Sequence, residues 1–152
     1  MRLVFGSDHG GVELKDRLVA WAKERGIDVV DVGTHGNASV DYPSYGERAA
    51  RMVATGQADR GVLVCGSGIG MSIVANKIPG IRAALVSDVE NAVLARQHNN
   101  ANVLCLGGRM IAFARACAMV SGWLDAEFEV RHQHRLDLIS RLECGEHTGG
   151  PA

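Results

Sequence analysis

Five short apolar runs recur along the chain, each followed by a stretch with helical periodicity: RLVF at 2–5, DVVDV at 28–32, GVLVC at 61–65, RAALVS at 82–87 and NVLCL at 102–106. Few architectures accommodate that alternation. GVLVC shows almost no polar–apolar alternation, as a parallel strand covered on both faces requires. Between the first two runs, residues 12–25 place Leu14, Leu18 and Trp21 on one helical face, and Gly26 stands where a helix stop belongs. Further helices are predicted over 45–55, 70–77, 89–97, 110–124 (apolar stripe Phe113, Cys117, Val120, Leu124) and 127–142, with 33–44 as loop. Strands alternating with helices imply right-handed βαβ crossovers, hence an α/β fold built on a five-stranded parallel sheet. The 152 residues suit one domain, set at 1–142, with the polar segment 143–152 as a flexible C-terminal tail.

Sixteen Lys and Arg against seventeen Asp and Glu leave a formal charge of −1, which argues against broad binding to nucleic acid or to anionic membrane. No run approaches the roughly 18 apolar residues of a membrane span, and no targeting segment is visible. Cys65, Cys105, Cys117 and Cys144 form no C-x-x-C pair, so neither a zinc ribbon nor a disulfide scaffold is expected, and a cytoplasmic location is. The nineteen glycines are roughly twice the average share of about 7%. With few aromatics, they point to tight turns and close backbone approach to a ligand rather than to a stacking platform.

In such folds ligands bind beyond the carboxyl ends of the strands. Strand three ends in Cys65-Gly66-Ser67-Gly68-Ile69-Gly70-Met71-Ser72. The glycines let successive N–H groups point into one concavity with a helix behind them, an anion cradle that would also favour the thiolate of Cys65. The loop lacks the Gly-Lys-Ser/Thr of a nucleotide-phosphate loop, is not G-x-G-x-x-G, and lacks the arginine of a cysteine-dependent phosphatase. Strand one ends in Ser7-Asp8-His9-Gly10-Gly11, where Asp8 either caps the next helix or meets a ligand. His98 closes a predicted helix, Arg109 follows strand five, and Arg131 and Arg135 are expected one helical turn apart on one face. No clustered metal-ligand set is visible, so no metal is expected. A thiolate beside amide donors suits proton transfer next to a carbonyl, and the arginines suit a small phosphorylated substrate.

SDHGG, the triplet Asp41-Tyr42-Pro43, CGSGIGMSIVANK, RQHNNAN and RHQHR occur in one order over about residues 1–142. Together they resemble the ribose/galactose isomerase family, and within it the type B ribose-5-phosphate isomerases. The resemblance implies a Rossmann-like three-layer sandwich and a metal-free, cofactor-free aldose–ketose isomerase. It implies homodimers, or dimers of dimers, with active sites shared between subunits. It makes Cys65 the base that moves a proton between C1 and C2 through a cis-enediolate, and His98 the group that assists ring opening. Some family members use a glutamate from the loop after the cysteine; here Ser72 occupies that region, which assigns the chain to the cysteine type. Ser67 stands where threonine is common. Asp8, Tyr42 and Asn99 match sugar contacts, His9, Arg109, Arg131 and Arg135 match positions around the phosphate, and Gly66, Gly68, Ile69 and Gly70 complete the cradle. Four- or six-carbon sugar phosphates, or a non-catalytic sugar-phosphate-binding subunit, are the alternatives.

Overall fold

The computed structural model describes residues 1–149. Strands β1 (Arg2–Ser7), β2 (Asp28–Asp31), β3 (Arg60–Cys65), β4 (Ala83–Leu85) and β5 (Val103–Gly107) alternate with helices α1 (Val12–Glu24), α2 (Tyr42–Ala54), α3 (Ile69–Ala75), α4 (Val89–Asn99) and α5 (Phe113–Asp125). A 3-10 turn, Val130–His132, then leads into α6, Gln133–Glu143. All strand pairs are parallel, in the order β2-β1-β3-β5-β4, with Cys65 opposite Gly107 at one end and Gly61 opposite Val103 at the other. The expected five-stranded parallel sheet is therefore the frame of the molecule.

Alternation along each strand divides the core between two faces. Leu3, Phe5, Val62, Val64, Leu104 and Leu106 meet α1, α4 and α5, while Val4, Leu63, Cys65, Val103 and Cys105 meet α2 and α3. Each such fully buried Leu or Phe contributes about 1.5–3 kcal/mol. Both faces are covered, which is why GVLVC reads as continuously apolar. Helix α6 lies outside this frame and buries only Leu136. No helix among the described residues is long and apolar enough to cross a membrane.

Several expected elements are corrected. Helix α2 begins at Tyr42, not Tyr45, because Pro43 occupies its first turn, where a missing N–H costs nothing. Helix α5 starts at Phe113 and turns Ala116, Met119, Val120 and Trp123 inward, leaving Phe113, Cys117 and Leu124 only partly buried. The Trp123 indole N–H donates to the Ala101 carbonyl at 3.1 Å, which fixes that rotation. The single helix expected over 127–142 is broken by the 3-10 turn, so Arg131 and Arg135 do not share one α-helical face. Strand β4 is short because the Asn102 side chain takes the Arg82 N–H at 2.8 Å and Asn76 takes that of Ala83 at 2.8 Å. The tail expected at 143–152 starts on the last residue of α6, whose carboxylate accepts the Gly80 N–H at 2.9 Å; residues 150–152 lie outside the described residues.

Candidate active site

At the carboxyl end of the sheet, β3 stops at Cys65 and the chain turns through Gly66, Ser67 and Gly68 into α3. Gly68 N–H donates to the Cys65 sulfur at 3.1 Å, placing a backbone dipole on the thiol. Only glycine fits there: φ is +80°, and a Cβ would lie 2.6 Å from Leu85 and 2.9 Å from the Leu106 carbonyl carbon. Ser67 Oγ accepts the Ile69 N–H at 3.3 Å. Gly70 opens the first turn of α3 beneath the Tyr42 ring, which would meet a Cβ at 2.8 Å. Ser72 donates to the Ile69 carbonyl at 2.9 Å and is absorbed by its own helix.

Three neighbours converge on this loop. Asp8, nearly buried after β1, accepts the N–H groups of Gly10 and Gly11 through Oδ1 at 2.9 and 3.1 Å. Asp8 therefore does not cap α1, whose N-cap is Gly11 without a side-chain bond; Oδ1 closes the turn that precedes the helix, and among the described residues Oδ2 has no protein donor. His9 Nδ1 accepts the Val40 N–H at 3.2 Å, so the neutral ring carries its proton on Nε2 and offers a donor. Arg109 N–H donates to the Gly66 carbonyl at 3.2 Å, and its guanidinium lies over Gly66. Cys105, on the face that Cys65 shares, is fully buried, which pushes its thiol far above the usual range.

The other expected residues lie at the opposite end. His98 and Asn99 are the last residues of α4, followed by Asn100 with φ +46° and then by the start of β5. The length of β5, roughly 13 Å at about 3.3 Å per residue, separates them from the Cys65 end. There the rings of His98 and His132 face each other with centroids 4.6 Å apart. Glu129 is held by Arg131 at 2.5–2.7 Å and lies 3.6 Å from His132 Nε2, while Arg135 donates to His132 Nδ1. The hydrogen bond from Arg131 holds the Glu129 carboxyl below its usual range. Burial, then the charges of Arg131, His98 and Arg135, hold the His132 imidazole low. Arg82 supports this end by donating to the carbonyls of Asn99 and Asn100 at 3.0–3.1 Å.

Residues 3–139 match the family model described as Ribose/Galactose Isomerase. The chain belongs to this family. It is 45% identical over 143 residues to ribose-5-phosphate isomerase B of Escherichia coli strain K12, covering 93% of this chain and 96% of that one. The structure of Clostridium thermocellum ribose-5-phosphate isomerase B superposes with a TM-score of 0.94 at 46% identity, covering 95% and 99% of the two chains. That of Mycoplasma genitalium ribose-5-phosphate isomerase B with bound ribulose 5-phosphate gives 0.89 at 40%, covering 94% and 96%.

Within this family member, two side-chain groups escape a reading of sequence spacing. His98, Glu129 and His132 bring ligand-type atoms within 4.8 Å of one another, as do Asp16, Asp31 and His35. In the first group Arg131 and Arg135 already engage Glu129 and His132 and surround them with positive charge. In the second, the Lys15 ammonium lies 2.6 Å from both carboxylates, where a cation would sit. The first cluster joins segments some thirty residues apart, so no local motif announces it. Lys15 does leave a trace: it stands on the apolar arc of α1 with Val19 and Ala22.

Proposed function

We propose that this chain interconverts ribose 5-phosphate and ribulose 5-phosphate. The observation that carries the reading is Cys65 at a strand end, its sulfur accepting the Gly68 N–H, at the mouth of an amide-lined loop. In the open-chain aldose, the Cys65 thiolate takes the proton from C2 and the C2–H electrons form the cis-enediolate. The same proton returns to C1 while the O2 hydroxyl proton passes to O1, so that the carbonyl moves to C2. C1 is reduced as C2 is oxidised, so the step is redox-neutral. The N–H groups of Gly66, Ser67 and Gly70 and the Ser67 hydroxyl hold the charge that develops on oxygen. Asp8, Tyr42 and Asn99 orient the sugar hydroxyls. His9, through Nε2–H, and Arg109, Arg131 and Arg135 hold the phosphate.

His98 opens the furanose ring from a second copy of the chain. Within one copy the sheet stands between Cys65 and His98, and a pentose phosphate cannot reach both. Ile69, Ile73, Leu85 and Met110 around the cysteine end, and Val130, Ile139 and Leu142 on the C-terminal segment, are exposed apolar side chains. A homodimer, or a dimer of dimers, that places one end of the sheet on the other would cover such surface and complete each site. Free thiols and a phosphorylated substrate support a cytoplasmic reaction.

The test is steady-state turnover on ribose, erythrose, allose and galactose phosphates. The expected result is the highest kcat/KM with ribose 5-phosphate. Turnover no higher than that of Cys65→Ala would overturn the reading in favour of a sugar-phosphate-binding subunit, and preference for another sugar would reassign the substrate.

A further inference from the structure

Lys15 is a charge that the reaction does not use, and its side chain is 0% exposed. Its Nζ lies 2.6 Å from Asp31 Oδ2 and 2.6 Å from Asp16 Oδ1. Burying an ammonium is costly even when paired, and methionine would fill the same space without that cost. The ion pair therefore has to supply something that packing alone does not.

That contribution is visible at Asp31, the last residue of β2. Lys15 holds its Oδ2, which aims Oδ1 at the Gly33 N–H, 2.9 Å away. Gly33 is pressed against the exit of β1 so closely that a Cβ would lie 2.6 Å from Ser7 N and 3.2 Å from Lys15 Cε. Thr34 N–H then donates to the Ser7 carbonyl at 3.0 Å. Ser7 immediately precedes Asp8 and His9. At the far end of the loop Val40 N–H donates to His9 Nδ1, and Tyr42 follows two residues later. The segment 33–41 is thus tied at both ends to residues 7–9, and the tie nearest β2 is anchored on Lys15.

We propose that the buried Lys15–Asp31 pair is a strut that sets the 33–41 loop and, through it, positions His9 and Tyr42 for substrate. Lys15 is a positioning residue and touches no reacting atom. The consequence for catalysis rests on the reading of His9 and Tyr42 as substrate contacts; the consequence for the loop does not. Asp16 is more than half exposed and has no bond to the loop, so its contact with Lys15 is incidental to this role.

The experiment compares Lys15→Met, Lys15→Met/Asp31→Asn and Asp16→Asn in the full-length, assembled protein. Three readouts are taken: hydrogen exchange at the Thr34 and Val40 amides, the KM and kcat for ribose 5-phosphate, and Tm. Lys15→Met strands the Asp31 carboxylate and lowers Tm. The double variant removes both charges and keeps an oxygen for Gly33, so it folds and decides the matter if the single variant does not. Both Lys15 variants are expected to exchange Thr34 and Val40 about tenfold faster and to raise KM about tenfold, with kcat less affected. Asp16→Asn is expected to match the parent. Parental exchange at Thr34 and Val40 in either Lys15 variant overturns the strut, as does recovery of exchange and KM together with Tm in the double variant. A parent that does not isomerise ribose 5-phosphate overturns the functional reading instead, and the exchange measurement still decides the strut.

Discussion

The two ends of the sheet are built by different means. The carboxyl end is made largely of backbone: the Gly68 N–H on the Cys65 sulfur, the amides of Gly10 and Gly11 on Asp8, the Val40 amide on His9. The amino end is made of side chains from separate segments: His98 against His132, Glu129 between Arg131 and His132, Arg135 on His132. The first holds a cysteine sulfur beside a glycine-rich loop but one arginine. The second holds two histidines and two arginines but no base placed beside amide donors. The difference is what the proposed function builds on: it makes each end half of a site and the active unit a pair of copies.

The sharpest way to break this comparison is at the base. Cys65→Ala should lower kcat by about 10²–10⁴-fold while substrate still binds, because a positioned base is lost and the cradle is not. Near-parental kcat would move the chemistry away from the backbone-built end. The second test joins the two ends. Cys65→Ala and His98→Asn proteins, each nearly inactive, are mixed under conditions that exchange subunits. Half of the random dimers then contain one site with both residues intact, and activity should return to roughly a quarter of the parental value. Exchange without recovery would place His98 in its own copy's site, against the topology, or remove it from the reaction.

The carboxyl end is the legible half because its layout follows from rules that act along the chain. A buried parallel strand is continuously apolar, a glycine-rich turn follows its last residue, and ligands gather at that edge; Cys65, Ser67, Asp8 and Arg109 were all found there by position alone. Tyr42 was harder, since Pro43 reads as a loop residue until it is seen to open a helix. The amino end was opaque for a physical reason. His98 and His132 meet where the Glu129 N–H donates to the Gln97 carbonyl at 2.9 Å, a tertiary contact that no periodicity encodes. The even spacing of Arg131 and Arg135 suggested one helical face, but a 3-10 turn intervenes. Lys15 is hard to read from sequence because its partner Asp31 lies on β2, sixteen residues away.

A gentler test sharpens the contribution of the amino end to binding. Arg135 donates to His132 Nδ1, and in the proposed function it also holds the phosphate. A charge-assisted contact is worth about 1.5–3 kcal/mol, so Arg135→Ala should raise KM about tenfold or more with a smaller effect on kcat. Arg135→Lys, which keeps the charge and loses the planar fork, should recover part of the affinity. An unchanged KM in Arg135→Ala would leave Arg109, Arg131 and His9 as sufficient holders of the phosphate.

The smallest expected effect is one of pH, and it should fall on one end only. In the folded chain His132 sits below its usual value of 6.5, because burial and the neighbouring positive charges of Arg131, His98 and Arg135 outweigh the pull of Glu129. Glu129 sits below its usual 4.5, because Arg131 donates to it. Both groups therefore favour their deprotonated forms on folding. Their contribution to stability is complete above those usual values and is lost as pH falls through the lower, folded-state values, His132 first and Glu129 at more acid pH. Moving from about pH 7.5 to about pH 5.5 should thus raise hydrogen exchange, taken relative to the intrinsic rate at each pH, a few-fold across the 3-10 turn and the first turn of α6, while the amides of β3 and its loop hold steady on the same scale. His132→Gln should flatten that response. An acid-induced rise of equal size at both ends, or one that survives in His132→Gln, would show that the amino end is not held together by the neutral imidazole and its two arginines.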